Sequence, residues 1–193
     1  MFALGVALLA PPLSAGATPL VITVRGEGGA ALADAVVAVF VEGTPRLARA
    51  AQPAEMSQRD KRFMPGVLAV QSGTPVSFPN FDTVRHHVYS FSPIKTFEIK
   101  LYVGTPAAPV VFDKPGTAVL GCNIHDQMAG FIRVVDTPYF ARTDPAGQAR
   151  LDVPGGHHRV QVWHASLPVD ADAPLHPLEV AGSGAAATLV IGR

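Results

Sequence analysis

Residues 121–128 read GCNIHDQM, and this stretch sets Cys122, His125 and Met128 at even three-residue steps. Cys122 is the only cysteine in a chain of 193 residues, which also holds seven histidines and four methionines. A lone cysteine cannot close a disulfide within its own chain. It is therefore a buried inert thiol, a bridge to another chain, or a metal ligand. A thiolate, an imidazole and a thioether in one short loop form a donor set for a soft metal. A short loop between two strands would hold three such donors in fixed mutual positions. A fourth would have to come from a distant strand packed beside the loop.

Composition sets the frame around this loop. Apolar residues make up 48% of the chain, enough for a real core, and 15 basic residues balance 15 acidic ones. That balance offers no basic face for nucleic acid or an anionic membrane surface. Gly and Pro number 18 each, and short Val-rich runs lie between them. The texture is all-β: short strands separated by turns. The start differs. FALGVALLA is an apolar run too short to span a bilayer. Pro11 and Pro12 end it, and the small residues Ala15 and Ala17 follow. Residues 1–17 thus predict a signal peptide cleaved near Ala17, with export to the periplasm.

Strands can be placed on both sides of the loop. LVITVR alternates, GEGG turns and DAVVAVFV is a second apolar run. TPRLARAAQPAEMSQRDKR has no clear period and reads as a connection. Between residues 54 and 136 about seven short strands are expected. They include HHVYSF, KTFEIKLY, TAVLGC (the strand that delivers Cys122) and AGFIRVV. Farther on, TDPAGQARLDV reads as a hairpin around Pro145-Ala146-Gly147. HRVQVWH and ATLVIG read as the last two strands.

The distant donor lies in VSFPNFDTVRHHV, residues 76–88. Here the sequence resembles the cupredoxin family, the plastocyanin- and amicyanin-like small blue copper proteins. Val76, Phe78, Asn80, His86, His87 and Val88 follow the order of that family's first ligand strand. Pro115, Gly116, Cys122, His125, Met128 and Gly130 follow its second. The chain departs from the pattern at Ala118 and Leu120, where aromatics are usual, and at His87, where Asn is usual. The resemblance implies one type 1 copper ion per chain, held by His86, Cys122, His125 and Met128. Neighbours on a strand face opposite sides, so only one of His86 and His87 can face the loop. The family register picks His86. His87 then points elsewhere or supports the cysteine sulfur. His157, His158, His164 and His176 read as solvated.

The two ends resemble each other's missing half. TVRGEGGAALADAVVAVF and TDPAGQARLDVPGGHHRVQVWH are similar to the opening and the continuation of transthyretin-like or carboxypeptidase-regulatory-like β-sandwich modules. The expected division is a signal peptide over 1–17, a first sandwich part over 18–53, a cupredoxin domain over 54–136 and a second sandwich part over 137–193. The fold class expected is all-β: a Greek-key cupredoxin-like β-sandwich inserted into, or flanked by, a second small sandwich.

These resemblances imply an exported blue copper protein that carries single electrons between redox protein partners. It would not be an enzyme and would have no membrane span. The edge of His125 would be the electron exit, with Ala129 and Phe131 beside it as an apolar docking surface. Two other readings stand next to this one: a copper-binding module for storage, delivery or sensing, and a cupredoxin-like interaction domain without a redox role. The lack of any His-x-His pair speaks against a multicopper oxidase. A serine hydrolase lacks support, because no G-x-S-x-G occurs.

Overall fold

The computed structural model describes residues 17–43, 52–168 and 173–192. Residues 1–16 of the expected signal peptide and residues 44–51 of the expected connection lie outside these. Among the described residues the chain forms strands and no helix. In order these are β1 (Ala17–Gly26), β2 (Val36–Val41), β3 (Ala54–Glu55), β4 (Ser57–Arg59), β5 (Arg62–Met64) and β6 (Val67–Gln71). Next come β7 (Thr74–Ser77), β8 (His86–Ser92), β9 (Lys95–Tyr102), β10 (Val110–Phe112), β11 (Gly116–Cys122) and β12 (Ala129–Val135). The last are β13 (Tyr139–Arg142), β14 (Gln148–Pro154), β15 (Gly156–Trp163), β16 (Leu175–Val180) and β17 (Ala185–Ile191).

The larger sheet runs β6-β12-β11-β8-β9 and faces a smaller one, β10-β7-β3. Between them lies a core of Met56, Phe63, Val70, Val76, Phe78, Val88, Phe112, Leu120, Cys122, Met128, Ile132 and Val134. A second pair of sheets, β14-β1-β17 and β13-β2-β15-β16, encloses another core. Leu20, Ile22 and Val24 supply it from one sheet, and Val37, Val39, Val160 and Val162 from the other. The described residues are thus all-β, with two packed pairs of sheets and no closed barrel among them, as the fold class expected.

Burial explains why the strands differ in pattern. In β1 only every second residue is deeply buried, which gives the period-two alternation of a strand with one covered face. In β2 the run Val36–Val39 is buried throughout. Val37 and Val39 enter the second core, while Val36 and Ala38 join Val67, Val135 and Trp163 in a third cluster. A continuous apolar run is what a strand covered on both faces requires. β12 behaves likewise: Ile132 and Val134 enter the first core, while Phe131 packs on Trp163 with ring centroids 5.7 Å apart. Arg133 is buried at this junction, where it donates to Thr117 Oγ1 at 3.0 Å and to Gln161 Oε1 at 3.1 Å.

Three local expectations are corrected. The stretch around Pro145-Ala146-Gly147 does turn, with Gly147 N–H donating to Asp144 O at 2.8 Å. It does not make a hairpin: β13 pairs with β2 and β14 with β1, so the chain crosses between facing sheets there. Second, the region read as a connection contains β3 and β4 and ends on the first residue of β5, with which β4 pairs. Their turn, Asp60-Lys61, has φ of 53° and 57°. That is the backbone of a two-residue hairpin turn, usually announced by Asn-Gly or Asp-Gly, and here it carries no glycine. Third, LHPLEV forms β16, which pairs with β15 at the edge of its sheet. An edge tolerates Pro177, which has no N–H to donate.

Candidate metal centre

The site is built where β8 and β11 lie side by side. Cys122, the last residue of β11, sits opposite Val88 of β8. Residues opposite one another share a face, and so do alternate residues along a strand. His86, Val88 and Ser90 therefore face the core with Cys122, and all three are fully buried. His87 faces the other way. Its Nε2 lies 3.0 Å from Glu98 Oε1, at ion-pair distance, and its ring meets Tyr89 edge-on at 6.0 Å. It does not serve the sulfur; its partner is a carboxylate on β9.

Beyond Cys122 the backbone makes two successive turns. His125 N–H reaches Cys122 O at 3.4 Å, and Met128 N–H reaches His125 O at 2.8 Å. This is why the donors recur at three-residue steps. Cys122 Sγ lies 3.8 Å from His86 Nδ1 and 3.7 Å from His125 Nδ1. The three ligand atoms all fall within 4.8 Å of one another, the one such cluster among the described residues. Typical metal–nitrogen and metal–thiolate lengths are about 2.1 and 2.3 Å, which put N and S about 3.8 Å apart when they subtend 120° at one ion. Both nitrogen–sulfur distances therefore suit two nitrogens and one sulfur on a common ion. Met128 is buried in the same core as Cys122, and its backbone is tied to the turn that carries His125.

The surroundings hold these donors still. Asn80 donates from Nδ2 to Val84 O at 2.9 Å and to Tyr102 O at 3.0 Å, and its Oδ1 accepts the Asp82 N–H at 2.9 Å. That closes the 80–86 loop leading into His86. Asp82 Oδ2 lies 2.7 Å from His86 Nε2. Burial would raise the Asp82 carboxyl, but hydrogen bonds from Lys61 N–H, from His86 and from Asp60 N–H outweigh it and hold the group below the ordinary carboxylate value. The Tyr102 hydroxyl donates to Phe78 O at 2.7 Å and accepts from Gln58 Nε2. Tyr89 lies across Gly121, where an added Cβ would come within 2.6 Å of the tyrosine ring. A side chain at position 121 would push this ring off the strand that ends at Cys122.

Asp82, Tyr102 and Gln58 are the residues that sequence reasoning missed. Asp82 had a weak signal: an acid four residues before a histidine in a loop. The other two had none, because their pairing joins strands far apart in sequence. The remaining histidines stay outside the cluster. His157 is exposed, His158 Nε2 donates to Pro154 O at 2.7 Å, and His164 Nδ1 pairs with Ser166 Oγ at 2.8 Å. His176 lies on β16. His125 is partly exposed, and Ala129 beside the loop is exposed. Phe131, expected on an open docking face, is instead engaged with Trp163 at the junction of the two cores.

No protein-family model matches this chain, and no curated protein does. Solved structures do. A Cu-containing nitrite reductase from Thermus scotoductus is similar at 29% identity and a TM-score of 0.40, over 42% of this chain and 22% of its own. A reduced amicyanin variant is similar at 20% identity and a TM-score of 0.37, over 42% of this chain and 79% of its own. A purple cupredoxin from Nitrosopumilus maritimus is similar at 21% identity and a TM-score of 0.37, over 42% of this chain and 95% of its own. The chain thus spans about a fifth of the nitrite reductase and most of the two smaller proteins. Each of these three is matched over less than half of the present chain.

Proposed function

We propose that this protein is an exported type 1 copper protein that carries single electrons. The observation that carries the reading is the triangle of His86 Nδ1, Cys122 Sγ and His125 Nδ1, of which His86 and Cys122 are buried. His86, Cys122 and His125 would hold the ion, with Met128 as the weak axial donor. Bound copper would supply a one-electron couple between Cu(II) and Cu(I). The chain's own part is geometric. β8 and β11 hold two donors on a sheet, and the two turns after Cys122 hold the rest, so little needs to move when charge changes. Burial of His86, Cys122 and Met128 keeps water from the ion on the core side. The partly exposed His125 is the route outward to redox protein partners.

The wider reading is also ours. Residues 54–136 would be the copper module, inserted into a second sandwich made of 18–53 and 137–193. Support comes from the pairing of β1 and β2 with β13, β14, β15 and β17, and from the separate cores. Export is supported by the apolar run over residues 2–10 followed by Ala15 and Ala17. Among the described residues no helix is long and apolar enough to cross a membrane.

The test is to add Cu(II) to the metal-free protein and record its absorption. A short copper–thiolate bond gives an intense visible charge-transfer band, and Cys122→Ser should lose it while keeping the fold. Tight copper binding without such a band would favour storage or delivery over electron transfer. An intense band that survives Cys122→Ser would refute the ligand set.

A further inference from the structure

The Asp82 carboxylate gathers three donors, two from a distant turn and one from the nearby β8. Oδ1 takes the Asp60 N–H at 2.7 Å, and Oδ2 takes the Lys61 N–H at 2.9 Å. The same Oδ2 lies 2.7 Å from Nε2 of His86. Asp60 and Lys61 form the turn between β4 and β5, both at positive φ and neither a glycine. A turn so unfavourable for its residues needs external support, and Asp82 gives it. His86 is fully buried, and its other ring nitrogen faces Cys122 Sγ at 3.8 Å. A neutral imidazole has one N–H, and an ionised carboxylate only accepts. In a neutral His86 the proton would therefore sit on Nε2, with the Nδ1 lone pair towards the thiol.

We propose that Asp82 is a positioning residue for the metal centre, one that sets the tautomer and ring direction of His86 and ties both to the β4–β5 turn. For its metal arm this rests on the copper reading above; the tautomer arm does not. A carboxylate on the far nitrogen makes a ligating imidazole more basic and orients it. Its negative charge also favours Cu(II) over Cu(I), so the site's reduction potential lies lower with Asp82 than without it.

The decisive variant is Asp82→Asn. On its own it would also weaken the turn, because one oxygen becomes a donor. It is therefore compared within a D60N/K61G background, where Asn-Gly holds the turn by its own preference. Three measurements on the full chain apply: ¹⁵N NMR of the His86 ring in metal-free protein, Cu(II) affinity by chelator competition, and the reduction potential. The expected results are an Nε2–H tautomer in the parent and, in Asp82→Asn, about 10- to 100-fold weaker Cu(II) binding with a raised potential. An Nδ1–H tautomer in the metal-free parent overturns the proposal, whether or not the variant folds. So do an unchanged affinity and potential in a folded Asp82→Asn. If the parent shows no charge-transfer band with Cu(II), the copper reading fails, and the NMR arm still decides whether Asp82 sets His86.

Discussion

His86 and His87 are adjacent and both buried, yet their neighbours divide them. His86 has Cys122 on one nitrogen and Asp82 on the other, while His87 has Glu98 on the opposite face. His86→Ala should therefore abolish tight copper binding, and His87→Ala should leave it within about threefold, since His87 lies on the opposite face and changes away from a site cost little. Copper titration of both variants checks this, and loss of binding in His87→Ala alone would reverse the assignment. Tyr102 supports a pH prediction. Burial pushes its hydroxyl up to about 12; the Gln58 hydrogen bond opposes this and the nearby Cys122 charge adds to it. The unfolded value is about 10. The folded state thus keeps its proton longer. Its stabilisation is whole below about pH 10 and is lost as pH rises towards about 12. Tyr102→Phe should lower stability at neutral pH by about 1 kcal/mol, the usual worth of a hydrogen bond. It should also show a shallower loss than the parent on the alkaline side, read from urea melts across that range.

At the scale of elements, the turns decide which sheet a strand joins. Gly147 has φ of 75°, and a Cβ there would sit 2.6 Å from Val24 O. The same turn takes the Val24 N–H onto Gly147 O at 2.8 Å, so it binds the strand it passes. Gly147→Ala adds left-handed strain of about 1–2 kcal/mol and a backbone clash that has no flexible side chain to absorb it. The expected loss is about 2 kcal/mol or more, seen as a lower urea midpoint with copper binding kept. A midpoint within error of the parent would contradict the turn's role. The β8–β9 hairpin is the contrasting case. KTFEIKLY alternates over most of its length and a short link joins it to HHVYSF, so these neighbours in sequence do pair, with a register shift between His86 and Val88. The β4–β5 hairpin was hidden because its Asp60-Lys61 turn lacks the glycine that marks such turns and relies on Asp82 from elsewhere.

On the scale of the whole molecule, the two cores meet at Trp163. It is buried against Val36, Ala38, Val67 and Val135, with Phe131 packed on its ring and the Arg133 guanidinium 6.0 Å over it. Arg142 adds a hydrogen bond to Val67 O at 3.0 Å across the same junction. Trp163→Ala should cost about 3–5 kcal/mol, as for other buried aromatic truncations. Its thermal melt should separate into two transitions, of which one tracks the loss of the copper band. One unbroken transition at the parent temperature would mean that the junction couples nothing.

The sequence alone determined the all-β class, because period-two alternation and dense Gly and Pro punctuation are local properties. It also determined the candidate donors, because Cys122, His125 and Met128 lie in one loop whose two turns set their spacing. Strand parity showed that only one of His86 and His87 could face the loop, and the family register, not parity, picked His86. Tertiary structure decided the rest. Which sheet each strand joins depends on pairings between distant residues, such as β1 with β14 and β17. That β2 and β12 are covered on both faces became visible only once the two cores were packed together. The partner of His86 is a carboxylate whose other bonds hold a turn more than twenty residues earlier in the chain. A hydrogen bond of that kind leaves no period or spacing in the sequence, because its geometry exists only after the chain has folded.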